Sequence, residues 1–257
     1  MYVILGGTGR VGSATARALL NRGQEVTIVT RDEGNGADLK AVGAKIAATD
    51  IRDIEATRSV LRSGTRAFLL NPPAHPSGDT GAEERANVAA IISALGGSGL
   101  EKVVAQSTYG AFCGERCGDL TVLHQFETAL ARQPVPTAIN RCAYDMSNWT
   151  GMADVVQETG TLPSFFPAGL SIPMVAPADL GEAAAKRLMA GISAAVIHGD
   201  LDAGMRRRIL AAYAAGKIRV VVNVAVLTEG WDHPSTSCVV LLRPSAGIMT
   251  FMIDGSH

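Results

Sequence analysis

Short apolar runs alternate with amphipathic stretches along the first two thirds of the chain. The runs are Tyr2–Leu5, Glu25–Thr30, Lys45–Thr49, Arg66–Leu70, Lys102–Gln106 and Thr137–Asn140. Most are apolar throughout rather than at alternate positions, the pattern of strands covered on both faces. Between them, Val11–Arg22, Asp53–Arg62, Gly81–Leu95 and Leu120–Arg132 repeat apolar residues at helical spacing. Strand and helix in strict succession predict an α/β fold, a doubly wound parallel sheet with right-handed crossovers. From Trp149 to Pro177 the pattern loosens, and prolines in 161–167 and 171–175 predict loops with one short strand. Ala178–Ala190 reads as a further helix.

A second βαβ pattern follows, with strand Ala194–His198, helix Ala203–Ala215 stopped by Gly216, strand Ile218–Asn223 and strand Ser237–Leu242. The tail after Pro244 carries little structural signal. The change of character near Gly191 divides the chain into 1–190 and a C-terminal βαβ fragment, 191–257, with no low-complexity linker between them.

Composition narrows the class. Of 257 residues, 47% are hydrophobic and 18% charged, which fits a folded α/β protein. The net charge of −1 gives no global attraction to nucleic acid or an anionic membrane. Four cysteines (Cys113, Cys117, Cys142, Cys238) are too few for a disulfide framework. Cys113 and Cys117 lack a second ligand pair at metal spacing, so no metal site is expected. No apolar run reaches the roughly 18–20 residues that span a bilayer. The chain opens directly on a strand, so no secretory signal and a cytoplasmic location are expected.

The chemistry begins at the loop Gly6-Gly7-Thr8-Gly9-Arg10-Val11-Gly12, between the first strand and the first helix. Gly6 permits a tight turn, Gly9 a close approach of backbone to a pyrophosphate, and Gly12 close packing of helix on sheet. The helix N-terminus then offers N–H groups and a favourable dipole to the phosphates. This is the dinucleotide-binding Rossmann pattern in its proper strand–loop–helix context. Arg31 stands at the tip of the second strand, where an arginine suits a 2′-phosphate, so NADP(H) is favoured and NAD(H) is the alternative. Asp32 beside it either neutralises Arg31 or bonds a ribose hydroxyl. Asp50 closes the third strand, where it accepts from an adenine amino group or caps the helix that follows.

With these residues placed, 1–190 resembles the NmrA-like branch of the atypical short-chain dehydrogenase/reductases. The matching pieces are the glycine loop, Thr30-Arg31-Asp32, Thr49–Asp53, Leu70-Asn71-Pro72-Pro73, Gln106-Ser107-Thr108, Asn140-Arg141, Asn148 and Met174–Leu180. The resemblance implies cofactor binding by Gly6, Thr8, Gly9, Arg10, Val11, Gly12, Arg31, Asp50, Ile51, Asn71, Pro72 and Ser107. Asn71 and Pro72 would face the nicotinamide half, and Ser107 the substrate side. Ser107, Tyr109 and His124 are the candidate catalytic residues. The tyrosine acid of the dehydrogenases has a lysine four residues on. Here Cys113 follows Tyr109 at that offset. His124 and Glu127 occupy the helix positions where active relatives often carry lysine and glutamate.

The C-terminal part is similar to something else. Ala195–Asp200, Arg206–Leu210, Gly216–Asn223, Thr228-Glu229-Gly230-Trp231-Asp232 and Leu241–Pro244 resemble, in order and spacing, the second RecA-like domain of superfamily 2 helicases. No phosphate loop of the Gly-x-x-x-x-Gly-Lys-Ser/Thr type occurs, and no arginine motif follows Pro244, so an ATP-driven helicase is not expected of this sequence. Arg206, Arg207, Arg208, Lys217 and Arg219 read as a solvated basic face. The sequence thus reads as a chimera whose βαβ fragment is expected to add strands to the Rossmann sheet, in place of a substrate lobe. Two functions stand: an NADPH-dependent reductase of small carbonyl or quinone-like substrates, and a non-catalytic NADP(H) sensor acting on a regulatory protein partner. Nucleic-acid binding by 194–245 is a remote third.

Overall fold

The apolar runs become six parallel strands in the computed structural model, which describes residues 1–112, 114, 117–164, 166–167, 169–190, 194–197, 203–215, 220–224, 236–242 and 249–254. In chain order the first half contains β1 (Tyr2–Leu5), α1 (Arg10–Leu20), β2 (Val26–Thr30), α2 (Ala37–Ala41), β3 (Lys45–Ala48), α3 (Ile54–Arg62), β4 (Arg66–Leu69), α4 (Thr80–Leu95), β5 (Lys102–Thr108) and α5 (Asp119–Ala131). Then come β6 (Thr137–Cys142), β7 (Tyr144–Asp145), α6 (Ser147–Thr150), α7 (Ala153–Thr159), β8 (Met174–Val175) and α8 (Pro177–Met189). The remaining elements are β9 (Ala194–Ile197), α9 (Ala203–Ala214), β10 (Val220–Val224), β11 (Thr236–Leu242) and β12 (Met249–Asp254).

The main sheet has the order β3-β2-β1-β4-β5-β6, with every pair parallel. The order of strand succession reverses between β1 and β4, which opens a crevice beyond the carboxyl ends of the strands. Both faces are covered, as the unbroken apolar runs require. On one face Val3, Leu5 and Val103 pack under Leu61, Ile91 and Phe126 of α3, α4 and α5. On the other, Ile4, Ile28, Phe68 and Val104 pack under Leu19 of α1, Leu39 of α2 and Leu188 of α8. Most of these side chains are wholly buried, each contributing about 1.5–3 kcal/mol of apolar transfer free energy.

Helices α1 and α8 cross with almost no side chain between them. A Cβ added to Gly181 would lie 2.4 Å from the backbone carbon of Ala14. The far end of α8 is held by cations from the sheet. Arg66 Nη1 donates to the carbonyls of Leu188 (2.5 Å) and Met189 (2.9 Å), and Lys102 Nζ to those of Arg187 (2.8 Å) and Ala190 (3.2 Å). These are the orphan carbonyls of a helix C-terminus, where positive charge is favoured.

Lys102 bears a cost for this position. Burial, and then the charges of Arg66 and Arg187, lower its pKa from 10.5 to about 8. Between pH 8 and 10.5 the unfolded chain holds a proton on this amine that the folded chain has shed, so stability rises with pH across that window. We expect a rise of about 3 kcal/mol from this group in urea unfolding of the parent protein. Lys102→Met should lose it, and parallel pH profiles for the two proteins would refute the assignment.

Two expectations need correction. The tail after Pro244 holds a strand, β12, paired antiparallel on one side with β10 and on the other with β11. Thr250, Phe251 and Ile253 favour a strand, and two neighbouring strands satisfy both of its edges. The βαβ fragment does not extend the Rossmann sheet. Strands β9 and β10 run parallel, and the order β11-β12-β10-β9 is a sheet of its own. The stretch before the loops read at 161–167 holds α6 and α7, each too short to show a helical period. Among the described residues no helix is long and apolar enough to cross a membrane.

Candidate functional site

The loop from β1 to α1 is built on two close approaches. Gly6 has φ +66°, a left-handed conformation that glycine adopts without strain. Its carbonyl accepts from Gly9 N at 3.0 Å, closing the turn. A Cβ on Gly12 would sit 2.0 Å from that same Gly6 oxygen. Gly12 is therefore required by the loop itself rather than by the sheet. Gly7, which sequence reasoning passed over, is the residue pressed on the sheet, since its Cβ would lie 2.5 Å from Ile28 Cβ.

The start of α1 differs from those of α3 and α4, and unlike α2 and α5, which also lack a side-chain cap, it has no acidic residue in its first turn. Helices α3 and α4 are capped by Asp53 and Asp79, whose Oδ1 atoms accept from Ala56 N (3.0 Å) and Ala82 N (2.9 Å). At α1 the capping residue is Gly9, with no side-chain cap and no acidic residue in the first turn. The leading N–H groups of α1 are thus left to an anion.

A cavity of about 770 Å³ opens in front of this loop, within the usual range for a ligand site. Its walls bring together Gly6, Thr8 and Gly9, Arg31 from the tip of β2, Asp50 and Ile51 after β3, and Pro72 after β4. Seven of the residues singled out from the sequence therefore share one cavity. Arg10, Val11, Gly12, Asn71 and Ser107 do not border it. Val11 and Gly12 are buried beneath the loop. Arg10 turns away, donating through Nη1 to the Oγ (3.0 Å) and carbonyl (3.1 Å) of Ser147.

The charges on the walls are distributed simply. Asp32 accepts from Gly34 N at 2.8 Å and caps the turn after β2, and among the described residues it forms no ion pair with Arg31. Asp50 accepts from Arg52 N at 2.9 Å. The cap of α3 is Asp53, which corrects the capping alternative for Asp50. Arg52, Asn87 and His75 also line the cavity and were missed. Arg52 stood in view beside Asp50, but only the fold shows that its side chain reaches α4. There its Nε donates to Asn87 Oδ1 at 2.9 Å.

Toward β4 and β5 the site becomes more buried. Asn87 Nδ2 donates to the Pro72 carbonyl (3.4 Å), and Ala74 N donates to Glu84 Oε1 (3.2 Å). Burial raises the pKa of Glu84. Asn71 Oδ1 is a buried acceptor with no partner among the described residues, and such a group calls for a ligand or water. Ser107 is buried and donates its hydroxyl to Glu127 Oε1. Glu127 also receives Arg141 Nε, at 2.9 and 3.1 Å to its two oxygens. Tyr109 is half exposed at the carboxyl end of β5. His124 lies partly buried one turn before Glu127 on α5. Cys113 and the Thr228–Asp232 motif fall outside the described residues.

An uncapped helix start, a glycine turn whose Gly12 admits no Cβ, and an orphan acceptor near the end of β4 fit a dinucleotide. Fold and site together define a Rossmann domain for such a cofactor. Residues 6–133 match the family described as NAD(P)H-binding, and this part of the chain is an NAD(P)H-binding domain. Residues 174–252 match the helicase conserved C-terminal domain, the segment where the helicase resemblance was read. That match includes α8, although α8 packs on α1.

Among solved structures, triphenylmethane reductase from Citrobacter sp., crystallised with NADP(H), is 17% identical with a TM-score of 0.64, covering 75% of this chain and 66% of its own. An NADPH-dependent quinone oxidoreductase from Escherichia coli is 20% identical at 0.61, covering 75% and 65%. ChuY, an anaerobilin reductase from Escherichia coli O157:H7, is 16% identical at 0.53, covering 74% and 91%. The likeness is one of fold, the fold expected from the NmrA-like resemblance. The chain spans just under two thirds of the length of the first two. No curated protein matches the chain.

Proposed function

We propose that the protein is an NADP(H)-dependent reductase of small carbonyl or quinone-like substrates. The observation that carries this reading is the single cavity uniting the glycine loop, Arg31, Asp50 and Pro72. Gly6, Gly9 and the start of α1 would hold the pyrophosphate, Arg31 a 2′-phosphate, Asp50 and Ile51 the adenine, and Asn71 and Pro72 the nicotinamide side. When bound, the reduced nicotinamide supplies a hydride to the substrate carbon. The protein must then give a proton to the substrate oxygen. Tyr109 has a half-exposed side chain suited to that role, while the Ser107 hydroxyl is committed to Glu127. Reductases among the similar folds, two of them named with NADP(H) or NADPH, support the reading.

The engaged Ser107 hydroxyl also favours a second reading, in which cofactor is bound and sensed without turnover. The absence of a lysine four residues after Tyr109 points the same way.

Fluorescence titration and a turnover assay separate the two. We expect NADPH to bind at micromolar levels and to be oxidised by members of a quinone and aldehyde panel; binding without oxidation would select the sensor. Arg31→Ala should weaken NADPH about tenfold or more and NADH little. Equal weakening of both would remove the case for NADP(H).

A further inference from the structure

Two guanidinium groups on the cavity wall, Arg31 and Arg52, have no carboxylate partner among the described residues. They come from the ends of neighbouring strands, since β2 pairs with β3 through Thr30 and Ala48. Their settings differ. Arg31 is exposed, and among the described residues its side chain makes no hydrogen bond. Arg52 is fixed by neutral partners, with Nε on Asn87 Oδ1 at 2.9 Å and Nη2 on the Glu83 carbonyl at 3.4 Å. The nearby Asp50 carboxylate is taken up by Arg52 N, not by the guanidinium.

Resting on the NADP(H) reading above, we propose that Arg52 is a second specificity-determining residue, which with Arg31 makes the adenosine end of the cavity selective for a 2′-phosphorylated dinucleotide. A 2′-phosphate adds close to two negative charges to the cofactor. A guanidinium that already holds its orientation loses little freedom when it meets such a group, and its positive charge is not cancelled by Asn87 or by a backbone carbonyl. Arg31 provides reach, and Arg52 provides a preset charge on the same cavity, from the end of the neighbouring strand. Asn87 is a positioning residue in this scheme. It links Arg52, after β3, to the Pro72 carbonyl, after β4, so one side chain sets both walls of the cavity.

The test is calorimetric titration of NADPH, NADH, adenosine 2′,5′-bisphosphate and AMP into the full chain and three variants, at low and high salt. Arg52→Gln should weaken NADPH and the bisphosphate about tenfold while changing NADH and AMP less than threefold. The preference lost should shrink as salt is raised. Arg52→Lys should recover part of it. Arg31→Ala should keep a residual preference for NADPH, so the result does not depend on an Arg52 variant folding well. If Arg31→Ala by itself abolishes the preference, or Arg52→Gln weakens the phosphorylated and unphosphorylated ligands equally, the proposal is overturned and the NADP(H) reading survives on Arg31. If the parent protein does not prefer NADPH over NADH, it is the underlying reading that fails.

Discussion

Gly12→Ala is expected to abolish measurable NAD(P)H binding, with affinity falling by about a hundredfold or more. The added methyl would lie 2.0 Å from the Gly6 oxygen, 2.7 Å from its carbon and 3.1 Å from Gly7 Cα. All three are backbone atoms, and no side-chain rotation relieves the clash. The turn must open, and with it the alignment of the first N–H groups of α1. Gly23→Ala is the natural control. Gly23 has φ +68° but nothing within 4 Å of its would-be Cβ. It should cost stability of about 1 kcal/mol and leave binding intact. Titration of NADPH into both variants, alongside thermal unfolding, reads the difference. Parent-like binding by Gly12→Ala would show that this loop is not the phosphate cradle.

The largest effect on stability is expected at the buried ion pair of α5 and β6. In Arg141→Met, Glu127 loses a guanidinium bonded to both of its oxygens, in a place where the two side chains are only 10% and 17% exposed. Ser107 still donates to that carboxylate, but one neutral hydroxyl does not offset a stranded charge. Removing one member of such a pair typically costs about 3–5 kcal/mol. Urea midpoints should fall accordingly. The double variant Glu127→Leu/Arg141→Met should recover most of the loss, because the cost lies in the unpaired charge rather than in the missing contact. A single variant as stable as the parent would mean that the pair is solvated and contributes little. Ser107 is positioned by the same pair, so NADPH oxidation in the double variant reports whether its orientation matters to turnover.

Much of this architecture is legible in the residues because the main sheet is covered on both faces. Continuous apolar runs located all six strands to within two residues at either end. The glycine loop was recognisable from its setting, and Arg31 and Asp50 from their places at strand ends. What stayed hidden depends on contacts between distant segments. Gly7 and Gly12 differ only in what lies opposite their hydrogens. Asp50 and Asp53 are equally plausible caps until the first turn of α3 is fixed. Arg52 acquires meaning from Asn87, on a helix that the sequence places well but cannot orient. Strand β12 is a short run without clear alternation, and its place is set by β10 and β11, which flank it.

The contact between Gly181 and Ala14 has a consequence for how the molecule is made. Helix α1 carries the phosphate-facing turn, yet its outer side is covered by α8, which emerges from the ribosome only after all six strands of the main sheet. A nascent chain halted before Pro177 would display β1, the glycine turn and α1 with the packing surface of Ala16 and Leu19 bare on that side. Contacts of such long sequence separation form late and slowly. Competence to hold a nucleotide therefore arrives only once α8 has been made, and cofactor captured at that moment favours the completed fold over the exposed intermediate.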